Sequence, residues 1–385
     1  VAPAGAGEDP LGSQASTPIT AYAQAVNKAG LALKEGRLDE SHDLLESTDP
    51  SARGFEFAYL KARLDQGRKL APDAPVPDLL GFVANPEVET RYAVLNPATH
   101  QVVFICRDGS LRIQDPRQAK TAPKIVHHPG KEAVRSGEFS RDGKLFVSGH
   151  QNADVLVWDA QTWALKQTIP LRGGKPVGQV AVAPDGSAIV AEGDQELELW
   201  SLTEGQPRKI SGVGPRYNFG EGLAFSPQGD VIATGGMFDI IIYDAKTGHE
   251  NQKMKHASYT MGLEFSPDGS RIASAPRGNV NKFLAVFEVG TGKLLFNQGP
   301  FPNYVVAMAF SPDGKRIATT GCENQLRLHD ATTGTTVLTL LRPKCGSKPA
   351  FSHDGQLLAW SEPDGLHFVD LGTAERDSQS PRSGK

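Results

Sequence analysis

The sequence predicts an all-β fold, a seven-bladed β-propeller ring preceded by a small N-terminal α-helical segment. Three observations predict it. A turn signature occurs seven times, at intervals of 44, 43, 43, 40, 45 and 41 residues, the period of a four-stranded blade. Around each copy lie short apolar runs of period two, which is strand spacing, whereas residues 17–66 carry apolar residues three and four apart, which is helical spacing.

The 385 residues are 39% hydrophobic and 22% charged, the balance of an ordinary globular chain. No apolar run approaches the 18 or so residues of a membrane helix, and no signal-peptide core is present, so membrane insertion is not expected. The opening "VAPAGAGEDPLGSQASTP" reads as a flexible stretch over residues 1–16, and its start at Val1 suggests that an upstream piece was removed. A net charge of −4 argues against nucleic acid as a partner. The cysteines Cys106, Cys322 and Cys345 have no metal-ligand spacing. Cys322 and Cys345 fall on neighbouring blade edges, where a disulfide is conceivable in an exported protein; independent free thiols are the expectation. The compartment, cytoplasmic or exported, stays open.

The helical segment covers 17–70. Thr17-Pro18 is an N-cap followed by Pro at the first helical position, Tyr22, Val26, Ala29 and Leu33 share a face, and Gly36 sits where the helix should stop. Asp39 opens a second helix carrying Leu44 and Leu45, and Asp49-Pro50 a third with Phe57, Leu60 and Leu64. The first two resemble a single tetratricopeptide-type hairpin. One such unit cannot bury its own face, so it should pack on the ring or on a partner.

The ring covers 77–373, and a flexible tail follows over 374–385. Its turn copies are "LNPATH" from Leu95, "FSRDG" from Phe139, "VAPDG" from Val182, "FSPQG" from Phe225, "FSPDG" from Phe265 and again from Phe310, and "FSHDG" from Phe351. Pro fixes φ, Asp bonds its own backbone and Gly accepts positive φ, so each is a hairpin turn. Third strands end at Asp115, Asp159, Ser201, Asp244, Glu288, Asp330 and Asp370, commonly as an aromatic-acidic pair such as "VWD". The tail after Asp370 is too polar for a strand, while "PDLLGFV" at 77–83 is unclaimed. Leu79 to Val83 is therefore expected to close the ring as outer strand of the last blade.

These copies resemble the WD40-repeat family over roughly Leu79 to Gly372. The resemblance implies a propeller that binds partners on the face made by inter-blade loops and by loops joining second to third strands. The family's Gly-His pair is mostly missing, and its loop Asp is recognisable only at Asp108 and Asp194, with Asn152 and Glu323 elsewhere. The polar network that braces such blades should be degenerate. "RGFEFAYLKARL" at 53–64 is similar to a stretch ahead of the repeats in some large bacterial WD40 proteins, which points to a bacterial source.

Nearly every inter-blade loop carries a cation, and several an aromatic residue, both common interface anchors. The candidate partner-binding residues are Arg172, Lys175, Arg216, Tyr217, Lys255, His256, Tyr259, Phe301, Tyr304 and Lys344, joined by Phe238 in "GGMFD" and Arg277 in "APRGNVNKF". The competing reading is of solvated loop charges offset by Asp108, Asp154, Asp194, Glu196, Asp239, Glu323 and Asp364. His127 and His128 are adjacent on an extended segment, point opposite ways and make a poor chelate; His329, in the place of the blade's Trp, reads as a packed structural residue. No phosphate loop, GxSxG elbow or HExxH helix appears. The sequence thus reads as a non-enzymatic scaffold for protein partners, an acidic segment or a larger complex among them, with no cofactor. The alternatives are a hydrolase or lactonase-like propeller with a metal or an acid-base cluster in its channel, and the sensory domain of a larger bacterial signalling protein.

Overall fold

The computed structural model describes residues 18–68, 80–84, 90–115, 122–127, 129–130, 132–194, 196–203, 208–215, 222–236, 238–255, 259–277, 283–301, 305–322, 325–341, 348–362 and 365–371. At 80–84, 90–91, 208–215, 259, 261, 276–277, 341 and 361–362 the description is of backbone only. The stretches expected to be flexible, 1–16 and 374–385, lie outside the described residues, as do Thr17 and Cys345.

Three helices come first: α1 (Pro18–Lys34), α2 (Leu38–Glu46) and α3 (Phe55–Gly67). Gly36, at φ +76°, turns the chain out of α1 in a conformation a β-carbon would strain. Asp49-Pro50 does not open the third helix. It opens a single 3-10 turn over Pro50–Ala52, with the Asp49 carboxylate accepting from the Ser51 N–H at 2.8 Å, and α3 begins after Gly54. The segment packs on the ring, and its buried Tyr22, Val26, Leu33, Leu45, Tyr59, Leu60 and Leu64 join one cluster with residues of the last two blades. Each such large side chain removed from water stabilises the fold by about 1.5–3 kcal/mol.

The ring is seven four-stranded antiparallel sheets. After β1 (Leu80–Ala84), blade one is β2 (Thr90–Leu95), β3 (Val102–Cys106), β4 (Ser110–Gln114) and β5 (Lys124–His127). Blade two is β6 (Val134–Phe139), β7 (Leu145–His150), β8 (Asp154–Asp159) and β9 (Leu165–Pro170). Blade three is β10 (Val180–Val182), β11 (Ala188–Glu192), β12 (Glu196–Ser201) and β13 (Arg208–Pro215), and blade four is β14 (Leu223–Phe225), β15 (Val231–Gly235), β16 (Asp239–Asp244) and β17 (Glu250–Lys255). Blade five is β18 (Tyr259–Phe265), β19 (Arg271–Arg277), β20 (Leu284–Glu288) and β21 (Leu294–Gln298), and blade six is β22 (Val305–Phe310), β23 (Arg316–Gly321), β24 (Gln325–Asp330) and β25 (Thr336–Leu341). Blade seven is β26 (Pro349–Phe351), β27 (Leu357–Glu362) and β28 (Gly365–Asp370), and its outer strand is β1, with Leu80 opposite Val369 and Ala84 opposite Gly365. Both ends of the ring therefore share one sheet, which leaves no open seam.

The recurring turn has a repeated hydrogen-bond geometry. Ser140 donates to Asp142 at 2.7 Å while its hydroxyl accepts from the Leu145 N–H at 3.0 Å, and Ser266, Ser311 and Ser352 repeat this with Asp268, Asp313 and Asp354. Where Gln228 replaces the Asp, Ser226 instead reaches Asp230 at 2.6 Å, one residue beyond the glycine. At the other hairpin the acid that ends the third strand works locally: Asp159 accepts from the N–H groups of Gln161 and Thr162, as Asp244 and Asp330 do in their blades. These bonds hold the Asp159 and Asp244 carboxyls below the usual carboxylate range.

Apolar clusters join neighbouring blades. Phe139, Phe146, Trp158 and Trp163 of blade two, for example, meet Ile105 and Leu111 of blade one. The polar brace survives in altered form: Trp158 Nε1 donates to Ser148 Oγ at 2.8 Å, which lies 2.8 Å from His150 Nε2. The histidine here comes from β7 rather than from an inter-blade loop. In blade six, buried His329 sits between Thr319 (2.8 Å) and Thr336 (3.0 Å), and burial pushes its pKa down to about 3, so it stays neutral. In blade three the Trp200 Nε1 is buried with no partner among the described residues. Trp158→Phe, which deletes the donor, is expected to cost about 0.5–1.5 kcal/mol in urea unfolding, because the buried Ser148 hydroxyl loses one of its two partners and keeps His150. Trp200→Phe should be close to neutral.

Candidate functional site

Inner strands β2, β6, β10, β14, β18, β22 and β26 line a central channel, all running from one face, the mouth, to the face that carries the Ser-Asp turns. In blades one, two, five and six the inner strand is bulged near the mouth, with register breaks at Thr90/Tyr92, Val134/Ser136, Thr260/Gly262 and Val305/Ala307. A bulge re-aims the extra residue, and here Arg135 and Val306 line the mouth cavity. That cavity measures about 280 Å³, and its polar lining includes Tyr92, Arg135, Ser136, Glu138, Glu264 and Lys348, beside glycine and apolar residues. A second cavity of about 250 Å³ opens on the turn face among prolines, Arg141 and His353.

Glu138 and Glu264 line both cavities and so stand at the waist of the channel. They come from blades two and five, three apart in a ring of seven. Burial pushes Glu138 up to about 8, with Lys348 pulling it down and Glu264 adding to the rise; burial pushes Glu264 up to about 7 against Lys348 and Arg141. Both retain contact with channel solvent while the walls enclose them. Sequence reasoning missed this pair, although a signal exists. The residue ahead of the turn's first residue is Val94, Ala181, Ala224, Ala309 or Ala350 in five blades and Glu in these two.

Of the residues singled out from sequence, the mouth face holds Arg172, Lys175, Phe238 and Lys255. Lys175 pairs with Asp194, and Lys255 Nζ with Asp239 at 3.0 Å, so the offset of loop cations by loop acids holds at these two positions. Arg172 is exposed, its N–H donates to Glu198 at 2.9 Å, and its guanidinium forms no salt bridge among the described residues. Phe238 is 57% exposed. Tyr259 and Arg277 are directly opposed in the register of β18 and β19 at the mouth end of blade five. Phe301 is not a surface anchor: it is 7% exposed, 5.1 Å under the Arg327 guanidinium and 5.6 Å from the His329 ring, because the blade-six core needs an apolar body there. Arg216, Tyr217, His256, Tyr304 and Lys344 lie outside the described residues, as does His128. His127 is exposed on β5. Among the described residues no three His, Cys, Asp or Glu side chains gather as a metal site. Cys322, expected as a free thiol, is disulfide-bonded, whereas Cys106 is a buried thiol whose Sγ donates to the Phe104 carbonyl at 3.7 Å. Cys345 is the one other cysteine in the chain.

The family model described as "WD domain, G-beta repeat" matches residues 121–159 and 293–330, each match ending on a third-strand Asp. The chain therefore carries WD40-repeat matches within a seven-bladed β-propeller. It is similar to WD repeat-containing protein SL1-17 of Schistosoma mansoni, 28% identical over 165 residues, which is 42% of this chain and 52% of the relative. It is also similar to mouse WD repeat-containing protein 1, 34% identical over 260 residues, 63% of this chain and 42% of that one. The chain thus spans about half the length of these curated relatives or less. Among solved structures, the β-propeller domain of Cps50 (Swd1) from Myceliophteria thermophila superposes with a TM-score of 0.62 at 17% identity, over 74% of this chain and 98% of that one. These relatives are eukaryotic, so the expectation of a bacterial source finds no support in them. No helix among the described residues is long and apolar enough to cross a membrane.

Proposed function

We propose that this WD40-repeat propeller is a non-enzymatic scaffold that holds a protein partner against its mouth face, with Arg135, Arg172 and Lys348 meeting carboxylates of the partner and Phe238 supplying an apolar contact. One observation carries this reading. The three cations are exposed around the mouth, and none forms a salt bridge among the described residues, whereas Lys175 and Lys255 are already matched to Asp194 and Asp239. Exposed Arg beside an exposed aromatic is the usual composition of an interface centre. Tyr259, Arg277 and the remaining mouth-loop residues, Arg216, Tyr217, His256, Tyr304 and Lys344, would extend the same surface. The test is affinity capture from source cells with the wild type, a triple variant Arg135→Glu, Arg172→Glu, Lys348→Glu, and Lys253→Glu on an outer strand as control. A partner retained by wild type and control and depleted about tenfold or more by the triple variant is the expected result. Equal capture by all three would overturn the reading.

The hydrolase reading has one observation in its favour, the two channel carboxylates held near neutrality, which suits acid-base chemistry. Turnover of an ester or lactone panel that disappears in Glu138→Gln and Glu264→Gln would establish it in place of the scaffold.

A further inference from the structure

Arg271 and Arg316 occupy the same place in their repeats, directly after the Ser-Asp turn. In blade five Arg271 reaches forward and staples its blade to the next: Nη1 donates to the Ala331 carbonyl at 2.5 Å and Nη2 to that of Gly314 at 3.2 Å, both in blade six. Arg316 of blade six has no such reach into blade seven among the described residues. Its guanidinium, 2% exposed, donates to both oxygens of Glu56 on α3, at 2.9 and 2.5 Å, to Asp330 at 3.3 Å and to the Ala52 carbonyl. Tyr22 of α1 completes the group by donating to Glu56 at 2.5 Å. A β-carbon on Gly54 would fall 2.9 Å from Arg316 Nε, so the backbone approach itself is fitted to the arginine.

The same segment makes the contact with blade seven that Arg316 does not. Phe55 meets Phe351 edge-on at 5.6 Å, and the apolar cluster of the helices includes Val337 and Leu338 of blade six together with Leu358, Trp360 and Val369 of blade seven. Blade seven is where the ring closes through β1, and β1 is the next strand of the chain after α3.

We propose that the N-terminal helical segment is a strap that fastens blade six to blade seven and thereby keeps the β1–β28 closure shut, so that opening of the ring starts with release of the segment. The strap replaces the arginine staple used between blades five and six. Glu56 and Phe55 are its two fastenings, one to each blade.

Hydrogen exchange of the full chain, read by peptide mass spectrometry, tests this. In Glu56→Ala, exchange should accelerate in α1–α3, in β25–β28 and in β1 about tenfold more than in blades two to four. Phe55→Ala, which leaves the ion pair in place, should accelerate β26–β28 and β1 in the same selective way. Phe146→Ala, a large-to-small lesion of a buried ring in blade two, should leave β1 and β28 as in the wild type. If Glu56→Ala fails to fold, Phe55→Ala carries the test alone. Acceleration confined to the helices would overturn the proposal, showing a segment merely appended. Equal acceleration in all blades would overturn it too, since the ring would then loosen without a preferred joint.

Discussion

Glu56→Ala is expected to destabilise the folded chain by about 3–5 kcal/mol, because it leaves Arg316 buried with only Asp330 to neutralise it. Glu56 is wholly buried and accepts from both Tyr22 and Arg316, so three donor atoms, Tyr22 Oη and Arg316 Nε and Nη2, lose an acceptor in one substitution. Burial, and then the Glu56 carboxylate, raise the Tyr22 hydroxyl above its ordinary range; without that carboxylate the hydroxyl is a buried donor with no acceptor. A double substitution, Glu56→Leu with Arg316→Met, removes the unpaired arginine and should recover part of the loss, since a buried pair replaced by apolar groups of similar volume is often near neutral, while the Tyr22 hydroxyl stays without its acceptor and Asp330 without its arginine. Urea unfolding of the two variants checks both statements. A double variant no more stable than Glu56→Ala would contradict the assignment of the cost to an unpaired charge.

The second large effect is a dependence on pH set in the channel. Glu138 and Glu264 hold their protons more tightly folded than unfolded, with values of about 8 and 7 against an ordinary 4.5. The stability they contribute is fully present below pH 4.5 and is lost as pH rises through the folded values, so the chain should weaken between roughly pH 5 and pH 8. Solvent in the channel screens the charged forms, which brings the expected loss to about 1–2 kcal/mol per carboxylate, well below full conversion of the shifts. Glu138→Gln should change little at pH 5 and stabilise the protein at pH 9, flattening the profile. Thermal unfolding across that range decides it, and a variant profile parallel to the wild type would sink the assignment.

What the sequence made legible was what repeats. The period fixed the number of blades, the alternation fixed the strands, and the polar stretch after Asp370 beside the unclaimed apolar stretch at 77–83 pointed to the closing pair. Single residues were legible where their conformation is local, as at Gly36. They were lost where a partner lies far along the chain: Glu56 and Arg316 are 260 residues apart, and nothing near either one announces the other. Phe301 read as an exposed loop aromatic because its cover, Arg327 and His329, comes from a later strand. Asp49-Pro50 read as a helix start because an Asp cap and Pro suit a 3-10 turn equally well. Glu138 and Glu264 escaped notice since a single Glu in an apolar strand looks like a solvated position, and only the geometry of the ring turns it towards a channel.

The central claim is that the repeats build the ring while the mouth face holds the partner. Hydroxyl-radical footprinting of the captured complex, compared with the free chain, tests this most directly. The account predicts loss of labelling at Phe238, Tyr92 and the strand ends at Tyr259 and Arg277, with Leu165, Leu294 and Leu295 on the outer strands labelled as before. Protection of Leu165, Leu294 and Leu295, with Phe238 and Tyr92 unchanged, would contradict it and move the interface to the rim of the ring.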